Sequence, residues 1–454
     1  MLLFVAAIAW LLIASVFGMI ATLKFHSPTL LADCPWFTYG RVHPVHLNCA
    51  IYGFAMQAAL GAVLWLLSHL GRTRLAFVPG IIGGTVVWNL GVTMGIVGIL
   101  YGENTGHEWL EMPRYAILPL FVGYLLIGIG AMRTFNQRLS GPLFISQWFL
   151  LAAVFWFPWI YATANFLLVA HPIRGALQAA LDGWYMNNLT VIWFGFIGLA
   201  AIFYFVSKIA RRPLNSHYLG IFAFWTLALF GSWGGIVPGT PLPSWMSAMS
   251  TVAAVLTVVP VLAVAINLRR TIAGHFEPFM AGASGKFILF GAAAFIVAGF
   301  TAALTSLESV NVITNFTWAV PAQTQLMLYG FFAMTMFGVI YHVVPRLLGT
   351  ELNSKLAGLH FWFCALPGVL FSVVPLALGG FHQGVTMNLH NTSFFEVMQG
   401  TLTFLRISTT GELLLAVGQL LLALNLLSAF YRVGRSALAG FWAENAVKTV
   451  EVAR

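Results

Sequence analysis

The sequence predicts an all-α membrane protein of twelve spanning helices, and three observations carry that expectation. Of its 454 residues, 60% are hydrophobic and only 7% are charged, whereas a soluble domain carries about 25% charged residues. A soluble chain of this size has no interior large enough for so much apolar surface. Apolar runs recur along the whole length, of the roughly 20 residues that a bilayer crossing needs. The basic residues fall in alternate loops between those runs.

Taken in order, the expected spans are 2–22, 46–70, 78–100, 113–132, 143–169, 184–207, 218–236, 247–268, 284–305, 320–346, 357–379 and 412–432. The first begins at once, with no basic segment ahead of it and no cleavage site, so it reads as a retained helix rather than a signal peptide. Arg72 and Arg74 follow the second run, Arg133 and Arg138 the fourth, Lys208, Arg211 and Arg212 the sixth. Arg269, Arg270 and Lys286 follow the eighth, Arg346 and Lys355 the tenth. Arg432, Arg435, Lys448 and Arg454 lie in the tail. These sixteen face five on the other side, Lys24, Arg41, Arg114, Arg174 and Arg406, which accounts for all 21. Basic loops stay in the cytoplasm, so both termini are expected there, in agreement with an even helix count. One missed helix would scramble the asymmetry. Acidic residues lean outward: Asp33, Glu103, Glu108, Glu111, Asp182, Glu308, Glu396 and Glu412.

This distribution also explains the net charge of +9 without a nucleic-acid partner. No linker or low-complexity run interrupts the chain, so 1–454 is expected to be a single polytopic membrane domain. The longest loops, 23–45, 101–112, 170–183, 306–319 and 380–411, are outer ones, suited to a lid or to docking a partner's periplasmic domain. Cys34, Cys49 and Cys364 are scattered singly, with neither metal spacing nor need for a disulfide. The absence of Cys-x-x-Cys-His excludes covalently attached haem.

Ionisable groups and imidazoles inside a bilayer are costly, which makes each a functional candidate. Twelve histidines occur, at 26, 43, 46, 69, 107, 171, 217, 275, 342, 360, 382 and 390. Most fall in loops or at interfaces. His46 is different, because it opens the second helix on the outer side, with His43 placed before Pro44 in the loop. His342 and His360 sit at the inner ends of the tenth and eleventh runs, where capping is the simpler role.

Six stretches, 41–54, 106–113, 183–208, 224–245, 318–349 and 359–384, resemble subunit I of the haem–copper oxidases, above all the cbb-type (C-family) cytochrome c oxidases and the nitric oxide reductase large subunit. Tyr341, His342, Val343, Val344, Pro345, Arg346 and Leu347 are close to the family's form, as are Phe203 to Lys208. The stretches run in family order through helices 2 to 11, about three quarters of the chain. The resemblance implies a twelve-helix bundle with both termini in the cytoplasm.

It also implies six metal ligands. A low-spin haem takes one histidine from helix 2 and one from helix 10, and a high-spin haem takes another two residues earlier on helix 10. Residues two apart on a helix point about 200° apart, so one helix can serve two haems on opposite faces. A histidine of helix 6 and a pair after helix 7 bind copper or non-haem iron, both suited to imidazole. Carried over, the helix 2 ligand is His46. The helix 10 pair falls on Gln323 and Gln325, the helix 6 ligand on Asn187, and the last pair on Val237 and Pro238, in a loop about two residues short. The family's redox tyrosine falls near Gly231. Five of six ligand positions are therefore non-ligating. Glu108 and Glu111 match a loop whose carboxylates sit near haem propionates and help bind calcium, for which hard oxygen ligands are suited. Without haems they read as two carboxylates in a solvated loop.

The expectation is a degenerate, non-catalytic subunit, a pseudoenzyme, of a respiratory complex in the bacterial inner (cytoplasmic) membrane. The buried amides would bond each other or water, since an unpaired one costs a few kcal/mol. Expected partners are membrane lipid and other respiratory subunits, a membrane-anchored c-type cytochrome among them. No cofactor follows from the residues and copper is disfavoured. One b-type haem on His46, for electron transfer or gas binding, is the alternative. An active terminal oxidase or nitric oxide reductase with a non-standard site is another. Transport is weakly supported, because few ionisable groups cross the interior.

Overall fold

The computed structural model describes residues 1–388 and 392–452, with side chains to residue 436; His390 and Arg454 and the side chain of Lys448 lie outside what it describes. Among the described residues eleven helices are long and apolar enough to cross a membrane: α1 (Leu2–Leu23), α2 (Tyr39–Leu70), α3 (Val78–Tyr101), α4 (Arg114–Asn136), α5 (Ile145–Ala170), α6 (Ala176–Ala210), α8 (Ser244–Ile272), α9 (Ala283–Ser306), α10 (Ala319–Leu348), α11 (Ser354–Met387) and α12 (Phe394–Ser436). Between α6 and α8 lies α7 (His217–Gly231), an apolar helix of 15 residues. At 1.5 Å per residue it spans about 22 Å, less than the ~30 Å hydrocarbon core. The expected run 218–236 is thus cut at Gly231, because Gly234 and Gly235 press the chain against α6 and end the helix.

Hydropathy located the apolar centres of the helices better than their ends. The expected outer loop 380–411 is mostly helix, with α11 continuing to Met387 and α12 starting at Phe394. Polar side chains there find partners instead of marking a loop, as where Gln383 Oε1 accepts from the Trp318 backbone N–H at 3.2 Å. Likewise α2 begins at Tyr39 and α6 at Ala176. His43 is therefore helical, and His46 lies about two turns inside α2 rather than on its first turn.

Three helices form the centre. The apolar stretches of α2, α6 and α10 are 94%, 83% and 89% buried, against half or less in the others, and the three contact one another. The outer helices close around them through small residues, which let backbones approach where no hydrophobic drive separates protein from lipid. A Cβ on Gly84 of α3 would stand 2.8 Å from the Gly123 carbonyl of α4. Each central helix carries a π-helical turn, Cys49–Ala55, Asn188–Phe194 and Leu326–Ala333. Such turns recur at functional sites. Here they begin just after His46, Asn187 and Gln325.

Candidate functional site

His46 is fixed by α1. Its Nδ1–H donates to the Ala14 carbonyl at 2.8 Å, which sets the tautomer and leaves the Nε2 lone pair free. The ring lies parallel to Tyr329 of α10, at 6° with centroids 6.4 Å apart. Gly18 makes room for it, since a Cβ there would sit 2.6 Å from His46 Nδ1. Gln325 borders the same small cavity of about 90 Å³, with Tyr39, His43, Glu108 and Glu412. Gln325 Nε2 donates to Glu412 Oε1 at 2.8 Å, while its own Oε1, buried, has no partner among the described residues.

Gln323, two residues away, faces elsewhere. Its Nε2 donates to the Ala298 carbonyl at 2.9 Å and its Oε1 accepts from Thr301 Oγ1 at 2.7 Å, both on α9. It borders a second cavity of about 180 Å³ with Asn187, Gly231 and Gly234. Thr324 touches both cavities, so α10 presents the two glutamines to two separate spaces.

Asn187 Nδ2 donates to the Gly231 carbonyl at 2.7 Å. The loop after α7 meets α6 backbone to backbone: Gly235, at φ +100°, has no room for a Cβ, which would stand 2.3 Å from the Gly183 carbonyl. Gly234 is what faces Asn187. Val237 and Pro238 are half-buried further along the loop and do not border the cavity. The structure thus brings Asn187 and Gln323 together, and His46 and Gln325 together, but leaves Val237 and Pro238 apart from both pairs. The amides bond to neighbouring helices and loops rather than to each other.

These side chains bear on which cofactors could be held. His46 fits one axial position of a haem, through Nε2. Gln325 does not supply the second, because its nitrogen is committed to Glu412 and an amide oxygen suits harder metals than haem iron. The ~90 Å³ cavity is also below the roughly 300 Å³ at which ligand pockets begin. In the other cavity both amides are engaged, and Val237 and Pro238 have no side-chain donor. Among the described residues no three His, Cys, Asp or Glu side chains converge as a metal would need. The residues present do not fit a copper or high-spin haem centre.

The outer loop differs from expectation at Glu111. Rather than being solvated, it is buried and accepts from Asn48 Nδ2 of α2 at 2.7 Å. Burial pushes its carboxyl up to about 7, against the opposing pull of that hydrogen bond. Glu108 is exposed at the mouth of the His46 cavity. Its backbone N–H donates to Asp182 Oδ2 at 3.1 Å, and partial burial together with Asp182 raises its carboxyl. Asp182 also lies 4.0 Å from His107.

Three side chains, Glu412, Tyr52 and Tyr185, are not singled out by the sequence alone. Glu412 was counted only as an outward-leaning acid, although a lone carboxylate within an apolar run is itself a signal. Tyr52 donates to the Trp109 carbonyl at 2.6 Å and meets the Tyr185 hydroxyl at 2.7 Å, which ties α2, the outer loop and α6 together. Nothing in their spacing pairs these tyrosines.

Known proteins share this sequence pattern and fold. The family model described as cytochrome C and quinol oxidase polypeptide I matches residues 1–414. The cytochrome c oxidase subunit 1 homolog of Agrobacterium tumefaciens (strain T37) is 26% identical, over 92% of this chain and 81% of that protein. The Cbb3-type cytochrome c oxidase subunit CcoN1 of Stutzerimonas stutzeri is 24% identical, over 93% of this chain and 92% of its own length. In fold, the chain is similar to a heme-copper terminal oxidase solved as a dimer, with a TM-score of 0.72 at 14% identity, over 94% of this chain and 84% of that one. With about nine tenths of its length matched by the family model, this chain belongs to the cytochrome c and quinol oxidase polypeptide I family.

Proposed function

We propose that this chain is a non-catalytic member of the oxidase polypeptide I family, retained as a structural or assembly subunit of a respiratory complex in the bacterial inner membrane. The observation that carries the reading is the use of the former ligand positions. Gln323 is bonded to Thr301 and Ala298, Gln325 to Glu412 and Asn187 to Gly231. The side chains at these positions hold helices to one another instead of pointing donor atoms at a shared centre. The relatives are named as oxidase subunits, which supports an assembly of several chains, with a membrane-anchored c-type cytochrome as one partner. In this reading α7 completes twelve crossings and both termini are cytoplasmic, in accord with the basic-residue asymmetry.

One observation favours a second reading, a single b-type haem on His46: the Ala14 bond holds Nδ1 and leaves Nε2 free on a residue that borders the cavity. The visible spectrum of the purified chain, with pyridine haemochrome and iron and copper assays, separates the two. The first reading expects no Soret band and no stoichiometric metal. A Soret band lost in His46→Ala would favour the second, and oxygen or nitric oxide uptake by a metal-replete preparation would overturn both. Mild-detergent affinity isolation is expected to recover further membrane subunits with the chain, and recovery of the chain alone counts against an assembly role.

A further inference from the structure

A groove of about 830 Å³ opens between α1, α2 and α3 at the end of the bundle bearing the 71–77 loop. Its walls are apolar, with Phe4, Leu64, Ile81 and Ile82 among them. Its rim is basic: His69, Arg72 and Arg74 border it and all three are exposed. No carboxylate borders the groove, and among the described residues neither arginine is within ion-pair distance of one.

The backbone holds these arginines in place. Many helices end on a left-handed glycine. Here Gly71 stays right-handed and Arg72 takes the left-handed turn, at φ +48°. Gly71 is needed where it is, because a Cβ there would stand 2.7 Å from the Leu67 carbonyl and 3.0 Å from Arg138 Cβ. The loop is tied down on both sides. Ser68 Oγ donates to the Thr73 carbonyl at 2.5 Å, and the Ala76 N–H donates to Thr134 Oγ1 at 3.0 Å. Arg72 and Arg74 therefore stand at the rim of a fixed loop with their charges uncompensated by protein.

We propose that this groove binds one anionic phospholipid, its headgroup phosphate on Arg72 and Arg74 and an acyl chain along α1, α2 and α3. A basic rim at headgroup depth above an apolar cleft matches both halves of such a lipid, and basic pockets between spanning helices select anionic headgroups. A zwitterionic lipid would bring its own cation to the arginines and loses that selection.

Native mass spectrometry of the purified full chain, loaded with phosphatidylglycerol or phosphatidylcholine of the same acyl chains, tests this. Phosphatidylglycerol is expected to be retained at least several-fold over phosphatidylcholine. The double substitution Arg72→Gln with Arg74→Gln should weaken it about 30-fold, as two surface arginines facing anionic lipid imply. Arg211→Gln with Arg212→Gln, on another loop, should leave retention unchanged. Ile82→Trp, which fills the groove without touching charge, should also displace the lipid. Equal retention of the two lipids, or equal loss in both arginine pairs, overturns the proposal.

Discussion

Glu111 ties the outer loop to α2 by its bond to Asn48, and its protonation makes stability depend on pH. In the folded chain it keeps its proton up to about pH 7, whereas an unfolded chain loses it near 4.5. Between those values the folded state binds more protons, so stability falls as pH rises through that window. Glu111→Gln is expected to flatten the thermal unfolding midpoint against pH from 4.5 to 7. Above pH 7 it should leave the variant more stable than the parent by on the order of 3 kcal/mol. A parent midpoint that rises across this window would contradict the assignment. The Gln325–Glu412 bond gives a second test. Gln325→Leu strands a buried carboxyl and should cost about 1–3 kcal/mol, while adding Glu412→Leu should recover part of that loss, since removing both partners leaves nothing unsatisfied. Melting of the two single variants and the double variant in one detergent measures the coupling.

At the level of elements, the contact between the α7–α8 loop and α6 decides what the second cavity can hold. Gly235 combines a positive φ with a backbone approach that admits no Cβ. Gly235→Ala should therefore destabilise the chain by about 1–3 kcal/mol, whereas Gly239→Ala, also at positive φ but with open space around it, should cost less. Comparable midpoints for the two variants would show that the close approach is not needed. The α1–α2 contact behaves similarly around the imidazole. Gly18→Ala pushes a methyl group into His46 Nδ1 and should break the bond to Ala14. Single-residue insertions near 44 should be tolerated worse than the loop reading of that segment implied, because α2 already runs from Tyr39.

For the whole molecule, the proposed topology makes a direct prediction. Reporter fusions after Gly71, Ala210 and Ser436 should report the cytoplasmic side and fusions in 102–113 the outer side. A fusion between α7 and α8 should report the outer side if α7 crosses, so a cytoplasmic signal there would show that this 15-residue helix does not span.

The sequence by itself determined the class of protein, the order of the helices and the family. Apolar runs of spanning length and a strong family pattern are local properties that survive without coordinates. It also singled out His46, Asn187, Gln323 and Gln325 as the positions on which the family's ligands would fall, with flanking residues that match on both sides of Asn187, Gln323 and Gln325. Tertiary structure alone decided what those residues bond to. Hydrogen-bond partners such as Ala14, Thr301 and Glu412 lie far off in sequence or on other helices, and no spacing rule pairs them. Helix ends were likewise hidden, since a polar residue that finds a partner on a neighbouring helix reads as a loop until that neighbour is in view. His46 was legible from the chain as a candidate ligand, but its fixed tautomer, and the two glutamines turned toward different cavities, followed only from packing.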